Sequence, residues 1–418
     1  MQRGVPYIET FLGGAHAQEP MKNCSRRVFP CFATAFAWIL FTPFGANAAE
    51  PATTAPGSTV TGDTIILGQT AAQSGPQAPI GASKWGLEAF IASVNARGGV
   101  AGKKLRLISY DDGYQPAQTT ALDKKLVYED GVFAIVGSIG SPTTAAVYKT
   151  LNDAHVPLIS MGSGSPIFYQ PGLKYVFPSW PIYTTDGKTM GSFVKKHFSG
   201  QPTAVIYQDD AFGKPILEGI KADLGKVDME IPYVPSQVDF SSAVIKLKSA
   251  GIKVVMLATI ATSGAQILNQ MASLDYRPTR ILTSSACGYG GIFSTIASLE
   301  GTYCTAFLPP PGSDDPRWAE FADAMGKYGQ GHPPDIYAAW GWLAGQVAYA
   351  GLEKIKGPIT RDAFVAQLET LRNFDTIAGK INYSSDRHEG SCCQLLWLAK
   401  NGKWEIVADS MFNGSEMK

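Results

Sequence analysis

The 418-residue chain reads as an α/β protein of two doubly wound, Rossmann-like lobes joined by a three-segment hinge. Strand and helix patterns alternate along most of its length. Loops rich in glycine and small polar residues follow the strands, and proline-bearing extended stretches interrupt the alternation. Alternation of this kind builds parallel sheets, whose ligands bind beyond the carboxyl ends of the strands.

The first strand is expected at 64–68, followed by a loop over 69–81. Leu87, Phe90, Ile91 and Val94 recur at helical spacing, and Gly98-Gly99 supply the left-handed turn that ends the helix. A second strand, 105–110, ends in Asp111-Asp112, a pair expected to order a loop. The unit repeats with a helix around Leu122 and Leu126, a strand at 133–137 and a loop over 138–144. After another helix come a strand at 156–160 and a loop over 161–166. Pro178 and Pro181 then flank Trp180, which predicts a stiff extended crossing.

A second series follows. Met190, Phe193, Val194 and His197 mark a helix face, with a strand at 203–207 and a loop over 208–213 after it. Ile216, Leu217, Ile220 and Leu224 mark the next helix, and 253–258 a buried strand. A helix through Ile267, Leu268, Met271 and Leu274 leads to a strand at 280–284. Residues 302–308 run into Pro309-Pro310-Pro311-Gly312, another stiff connection. Three helical patterns then lack strands of their own: Trp318/Phe321/Met325, 335–354, and Phe364/Leu368/Leu371. They are expected to pack on the first sheet. Short strands at 379–383, 394–399 and 404–407 close the chain, with Asn401-Gly402 as a hairpin turn. This assigns 62–178 and 309–382 to lobe 1, and 179–308 and 383–415 to lobe 2. The crossings fall near 176–182, 305–312 and 380–390, and lobes so joined close on a ligand in the cleft.

Composition narrows the partners. With 45% hydrophobic and 17% charged residues the chain is globular, and Lys+Arg and Asp+Glu balance at 35 each, so no global field draws nucleic acid. Lys22, Arg26 and Arg27 precede an apolar run over 32–44 and then Ala46-Asn47-Ala48. That is the layout of a cleavable signal peptide over 1–48, with Met21 as an alternative start. The mature protein is expected in a periplasm, as a monomer. Export leaves Cys287, Cys304, Cys392 and Cys393 in an oxidising compartment. Cys287 and Cys304 are a candidate pair and Cys392-Cys393 a vicinal one; the sequence leaves the pairing open. His388 is the only further soft ligand near the cysteines, so neither a metal nor a cofactor is expected. No H-E-x-x-H, G-x-S-x-G, P-loop or complete G-x-G-x-x-G occurs, which argues against an enzyme.

The segments 67–81 (LGQTAAQSGPQAPIG), 94–102 (VNARGGVAG), Tyr110-Asp111-Asp112 and 156–160 (VPLIS) resemble the periplasmic leucine/isoleucine/valine-binding protein family. These are the type I solute-binding components of ABC importers. The likeness continues through Asp210-Ala211-Phe212-Gly213, 238–241 (VDFS) and His388-Glu389-Gly390. The resemblance implies an inner-membrane ABC permease as partner and a small organic ligand held between the lobes. It carries site roles onto Ile80 as an apolar wall, Ser141 as receiver of a carboxylate, Gly162-Ser163-Gly164 as the cradle of the ligand's charged head, and Phe212 as the cover. Ser141 also precedes Pro142 at an expected helix start, where free N–H groups favour an anion. Trp180 is placed to stack on an aromatic ligand, and Thr262 and Ala286 to close from the second lobe.

One departure matters. Amino-acid binders of the family carry an acid after the strand that ends here at 283–285, to take the α-ammonium; this sequence has Ala286-Cys287. Asp209 or Asp210 is an alternative counter-charge, though neither matches that position, and a buried ammonium without one is costly. An aromatic or short-chain carboxylate therefore gains weight beside an amino acid, and an exported sensor or a periplasmic enzyme remain as alternatives.

Overall fold

The computed structural model describes residues 55–286, 300–391, 393–407 and 412–413. The expected signal peptide, Cys287, Cys392 and the Cys393 side chain lie outside the described residues. So therefore does the candidate Cys287–Cys304 bridge; the Cys304 thiol itself is buried beside the carbonyls of Thr305 (3.0 Å) and Ser284 (3.7 Å). No helix among the described residues is long and apolar enough to cross a membrane.

Two sheets organise the fold. The first is all parallel, in the order β2-β1-β3-β4-β5, from β1 (Thr64–Ala71), β2 (Lys104–Asp111), β3 (Ala134–Val136), β4 (Leu158–Ile159) and β5 (Val176–Phe177). The second is parallel through β6 (Thr203–Gln208), β7 (Met229–Tyr233), β8 (Val254–Ala258), β9 (Arg280–Thr283) and β10 (Tyr303–Ala306). A β11–β12 hairpin (Phe374–Thr376, Gly379–Ile381) stands apart. Antiparallel β13 (Cys393–Lys400) and β14 (Lys403–Ile406) then complete the second sheet in the order β14-β13-β10-β9-β8-β6-β7, with β15 (Phe412–Asn413) also on β13. Asn401 and Gly402 both have positive φ, +53° and +72°, as a two-residue hairpin turn of this kind requires.

Helices cover both sheets: α1 (Ser83–Ala96), α2 (Pro116–Tyr128), α3 (Ser141–Ala145), α4 (Tyr148–Asp153), α5 (Tyr183–His197), α6 (Gly213–Leu224), α7 (Ser241–Ser249), α8 (Ala261–Ser273), α9 (Pro316–Tyr328), α10 (Ile336–Glu353) and α11 (Arg361–Leu368). As expected, the late helices pack on the first sheet: α9 and α10 against α1, and α10 also against β3 and β4. Alpha-helix α10 is apolar all round because it is buried all round, and it meets α1 backbone to backbone. A Cβ added to Gly86 would lie 1.7 Å from the Ala338 carbonyl oxygen, and one on Gly341 1.8 Å from that of Ser83. The chain thus passes between the sheets at β5–β6, at β10–α9 and at β12–β13.

Strand lengths differ from expectation. The strands at 133–137 and 156–160 shrink to Ala134–Val136 and Leu158–Ile159, because their ends turn into the loops at the mouth of the sheet. Strand β7 has no counterpart in the sequence reading: it carries Pro232, which a strand tolerates where only one neighbour bonds it, and β7 is the edge strand beside β6.

Candidate functional site

The loops after the first-sheet strands meet the loops of the second sheet around one enclosed space. From the first sheet come Ile80, on a short 3-10 turn after β1, Tyr114 after β2, Ile139-Gly140-Ser141 after β3 and Gly162 after β4. The first crossing contributes Trp180 and Tyr183. Tyr337 of α10 adds to the first-sheet side, and opposite stand Phe212 before α6, Ile260 before α8 and Ala286 after β9. The cavity measures about 20 Å³, the room of one water molecule. Apart from Ser141 and two glycines its walls are aromatic or aliphatic, and no charged side chain lines it among the described residues.

Each loop is held by its own bonds. Asp111 accepts from the backbone N–H of Gln73 (2.7 Å) and Gly113 (3.0 Å), and Asp112 from Tyr114 N–H and Thr119 Oγ1 (both 2.9 Å). The acid pair therefore orders the loop, and burial lifts the Asp112 carboxyl above its ordinary value. Ser138 Oγ caps the Thr70 N–H at 3.0 Å, and Gly162 N–H reaches Ser138 O at 2.7 Å, tying the third and fourth loops together. Gly140 has φ +133°, and a Cβ there would fall 2.3 Å from Thr143 Oγ1 and 3.0 Å from the Tyr114 ring.

The polar heart of the site is a set of hydroxyls. Ser141 Oγ lies 2.7 Å from Ser163 Oγ and 3.3 Å from Tyr183 OH, all three buried. Burial pushes the Tyr183 phenol up to about 12, so it stays protonated and able to donate. Helix α3, which starts at Ser141, is only five residues long, so the macrodipole expected behind Ser141 is small and the hydroxyls carry the polarity. The Trp180 ring packs edge-on to Phe307 (centroids 4.7 Å) and tilted on Trp340 (4.9 Å). Trp180 Nε1 donates to Ser285 Oγ at 3.2 Å, and Ser285 Oγ donates to Asp186 at 2.9 Å. Burial raises the Asp186 carboxyl to about 6.

Of the residues expected from sequence, Ile80, Ser141, Gly162, Trp180, Phe212 and Ala286 line the cavity together. Ser163, Gly164 and Thr262 do not. Ser163 stands behind Ser141. Gly164 is wedged against the crossing, where a Cβ would lie 2.2 Å from the Pro181 carbonyl oxygen. Thr262 Oγ1 turns to the rim and donates to Pro76 O at 2.9 Å, while Ile260 takes the inner position. Tyr114, Tyr183 and Tyr337 were not singled out by sequence. A larger depression, about 250 Å³, shares no residue with this cavity; at it Lys174 pairs with Asp362 at 3.2 Å and Arg387 with Glu389, and His388 Nε2 lies 3.2 Å from Glu369 Oε1.

A family model described as periplasmic binding protein matches residues 64–403. The chain belongs to that family. Among its relatives, Leu/Ile/Val-binding protein homolog 1 of Brucella suis is 25% identical over 355 residues, covering 84% of this chain and 92% of the relative. Among solved structures of like fold, a possible leucine/isoleucine/valine-binding protein from Rhodopirellula baltica has a TM-score of 0.76 at 22% identity, covering 86% of this chain and 98% of that one. A solute-binding protein of an ABC transporter from R. palustris, solved in complex with benzoate, has a TM-score of 0.72 at 21% identity, covering 82% and 95%. The type I periplasmic binding protein fold expected from the sequence is the observed one.

Proposed function

We propose that this protein is the periplasmic solute-binding component of an ABC importer and captures a small carboxylate that lacks an amine, aromatic or short-chain, by closure of its two lobes. The observation that carries this reading is the chemistry of the enclosed cavity: apolar, largely aromatic walls, one hydroxyl cluster, and no charged side chain among the described residues. Three hydroxyls carry three protons. If Ser163 donates to Ser141 and Ser141 to Tyr183, two protons are used and the Tyr183 O–H remains for a ligand oxygen. Among the described residues that line the cavity an α-ammonium would find no carboxylate to receive it, and uncompensated burial of that charge is costly.

The space fits one water, so an organic acid requires the lobes to separate and re-close around it. Bonds across the cleft mark this conformation as closed: Tyr337 OH to Ala286 O (2.9 Å) and Thr262 Oγ1 to Pro76 O (2.9 Å). A ligand that touches both walls binds the closed form better than the open one and shifts the population toward it. The permease of the proposed importer would read that form. A neighbour of the same fold holds benzoate, so the architecture accommodates an aromatic carboxylate.

A thermal-shift panel of aromatic acids, short-chain acids and amino acids tests the reading. A ligand at a hundred times its Kd adds about 2.7 kcal/mol of stability. Aromatic or aliphatic acids should give the largest shifts, and Ser141→Ala should weaken the best of them roughly tenfold. Largest shifts from leucine-type amino acids would overturn the amine-free assignment.

A further inference from the structure

We propose that Tyr114 is a second ligand-anchoring hydroxyl and that Gln208, at the end of β6 in the opposite sheet, aims it. The proposal deepens the ligand reading above and rests on it.

Tyr114 sits in the left-handed region, φ +63°, a costly place for a bulky residue unless its surroundings impose it. They do: Asp112 accepts its N–H at 2.9 Å, and its ring occupies the space beside Gly140, 3.0 Å from where a Cβ on that glycine would fall. The result carries the phenol from the loop after β2 into the cavity wall. Its oxygen there meets Gln208 Nε2 at 3.4 Å.

Gln208 is fully buried and fully committed. Its Oε1 accepts from Tyr233 OH at 3.2 Å, and Nε2 donates to Asp210 Oδ2 at 2.6 Å and to Tyr114. The neighbouring carboxylate settles which way the amide faces, because a flipped amide would set its carbonyl oxygen against Asp210. Both amide protons are therefore used, and the Tyr114 oxygen is an acceptor from Gln208. Its own proton has no acceptor among the described residues, while burial and the Asp210 charge hold the phenol's pKa well above its ordinary value. What remains is an O–H donor on the cavity wall. Asp210 also accepts the Phe212 N–H at 2.8 Å, so one acid orients both Gln208 and the aromatic cover.

With Tyr183 supplying one O–H and Tyr114 another, the two oxygens of a carboxylate each find a donor. The Tyr114–Gln208 bond spans the two walls, so it forms only on closure. A ligand oxygen that draws on the Tyr114 proton makes the phenol a better acceptor for Gln208. Ligand contact and closure then reinforce each other.

The test is calorimetric titration of sodium benzoate and sodium hexanoate into the full mature protein, Tyr114→Phe, Gln208→Glu and the double variant. Tyr114→Phe keeps the ring and should weaken the tighter probe about 10- to 100-fold, as expected for loss of a hydrogen bond to a charged group. In Gln208→Glu the oxygen facing Tyr114 is an acceptor, whether the group is ionised or shares a proton with Asp210. It should turn the Tyr114 proton away from the cavity and cost a similar factor without touching the ligand. The double variant should lose no more than either single one. Unchanged affinity in Tyr114→Phe overturns the anchor, and additive losses in the double variant overturn the aiming role of Gln208. If the unmodified protein binds neither acid, the ligand reading falls, and the anchor with it.

Discussion

Asp123 offers a measurement of how the first lobe tolerates an unpaired acid. It lies on α2 beside β1, 3% exposed, and neither carboxylate oxygen has a hydrogen-bond partner among the described residues. Thr70 stands beside it but directs its hydroxyl to Ser138 at 3.3 Å. Burial raises its carboxyl from 3.8 to about 7, against the lowering effect of the neighbouring Thr70 hydroxyl and with a smaller push from the Asp112 charge. The native state thus keeps a proton that the unfolded chain releases between about pH 4 and 7. Stability is highest below the unfolded value and falls as pH rises through the folded one. Three pKa units amount to about 4 kcal/mol, of which roughly 3 kcal/mol develops between pH 5 and 8. Other buried acids add slopes of their own, so the informative quantity is a difference. Urea unfolding of the unmodified protein and of Asp123→Asn across that range should show the variant's curve flatter by roughly 3 kcal/mol. An amide at 123 also lacks partners, so its absolute stability is not the readout. Parallel curves would refute the assignment of a buried, titrating carboxyl to Asp123.

Arg361 is buried with no carboxylate partner among the described residues; its guanidinium donates to the carbonyls of Ala55 (3.1 Å), Pro56 (2.7 Å), Val132 (2.8 Å) and Phe133 (2.8 Å), and burial lowers its pKa to about 10. Arg361→Met should cost roughly 3 kcal/mol or more by denaturant unfolding, because buried carbonyls lose their donors; a loss under 1 kcal/mol would mean that water replaces the guanidinium. Gly341→Ala should cost about 1–3 kcal/mol by forcing α10 off α1. Because Tyr337 lies one turn earlier on α10, the same variant should lower affinity for the best acid of the thermal-shift panel. Unaltered affinity would separate that helix contact from the site.

Much of the fold was legible because each unit punctuates itself. Gly98-Gly99 after α1, the prolines around Trp180 and the Asn401-Gly402 turn all mark places where the backbone has few options. Strand β7 was not legible, since Pro232 and alternating exposure disguise an edge strand. At the site, Ile80, Ser141 and Gly162 could be placed because the family resemblance carried site roles onto the loops after β1, β3 and β4. Tyr114 could not: nothing in Asp-Gly-Tyr-Gln-Pro announces a left-handed tyrosine, and its role depends on Gln208, far away in the chain. Thr262 and Ile260 illustrate the same limit. Both precede or begin α8, and only the rotation of that helix decides which side chain turns inward.

The return of the chain to sheets begun earlier has a consequence for biogenesis. The first sheet gains its covering helix α10 only after the whole second series has been made, and the second sheet has its β13 strand inserted beside β10 near the end of the polypeptide. The first lobe cannot bury its apolar faces until α10 is made, nor the second until β13, near the end of the chain, is available. Contacts of such long sequence separation form slowly. For the exported chain proposed above, that delay is useful: a precursor still lacking α10 and everything after it has no complete lobe to resist threading through a translocation pore.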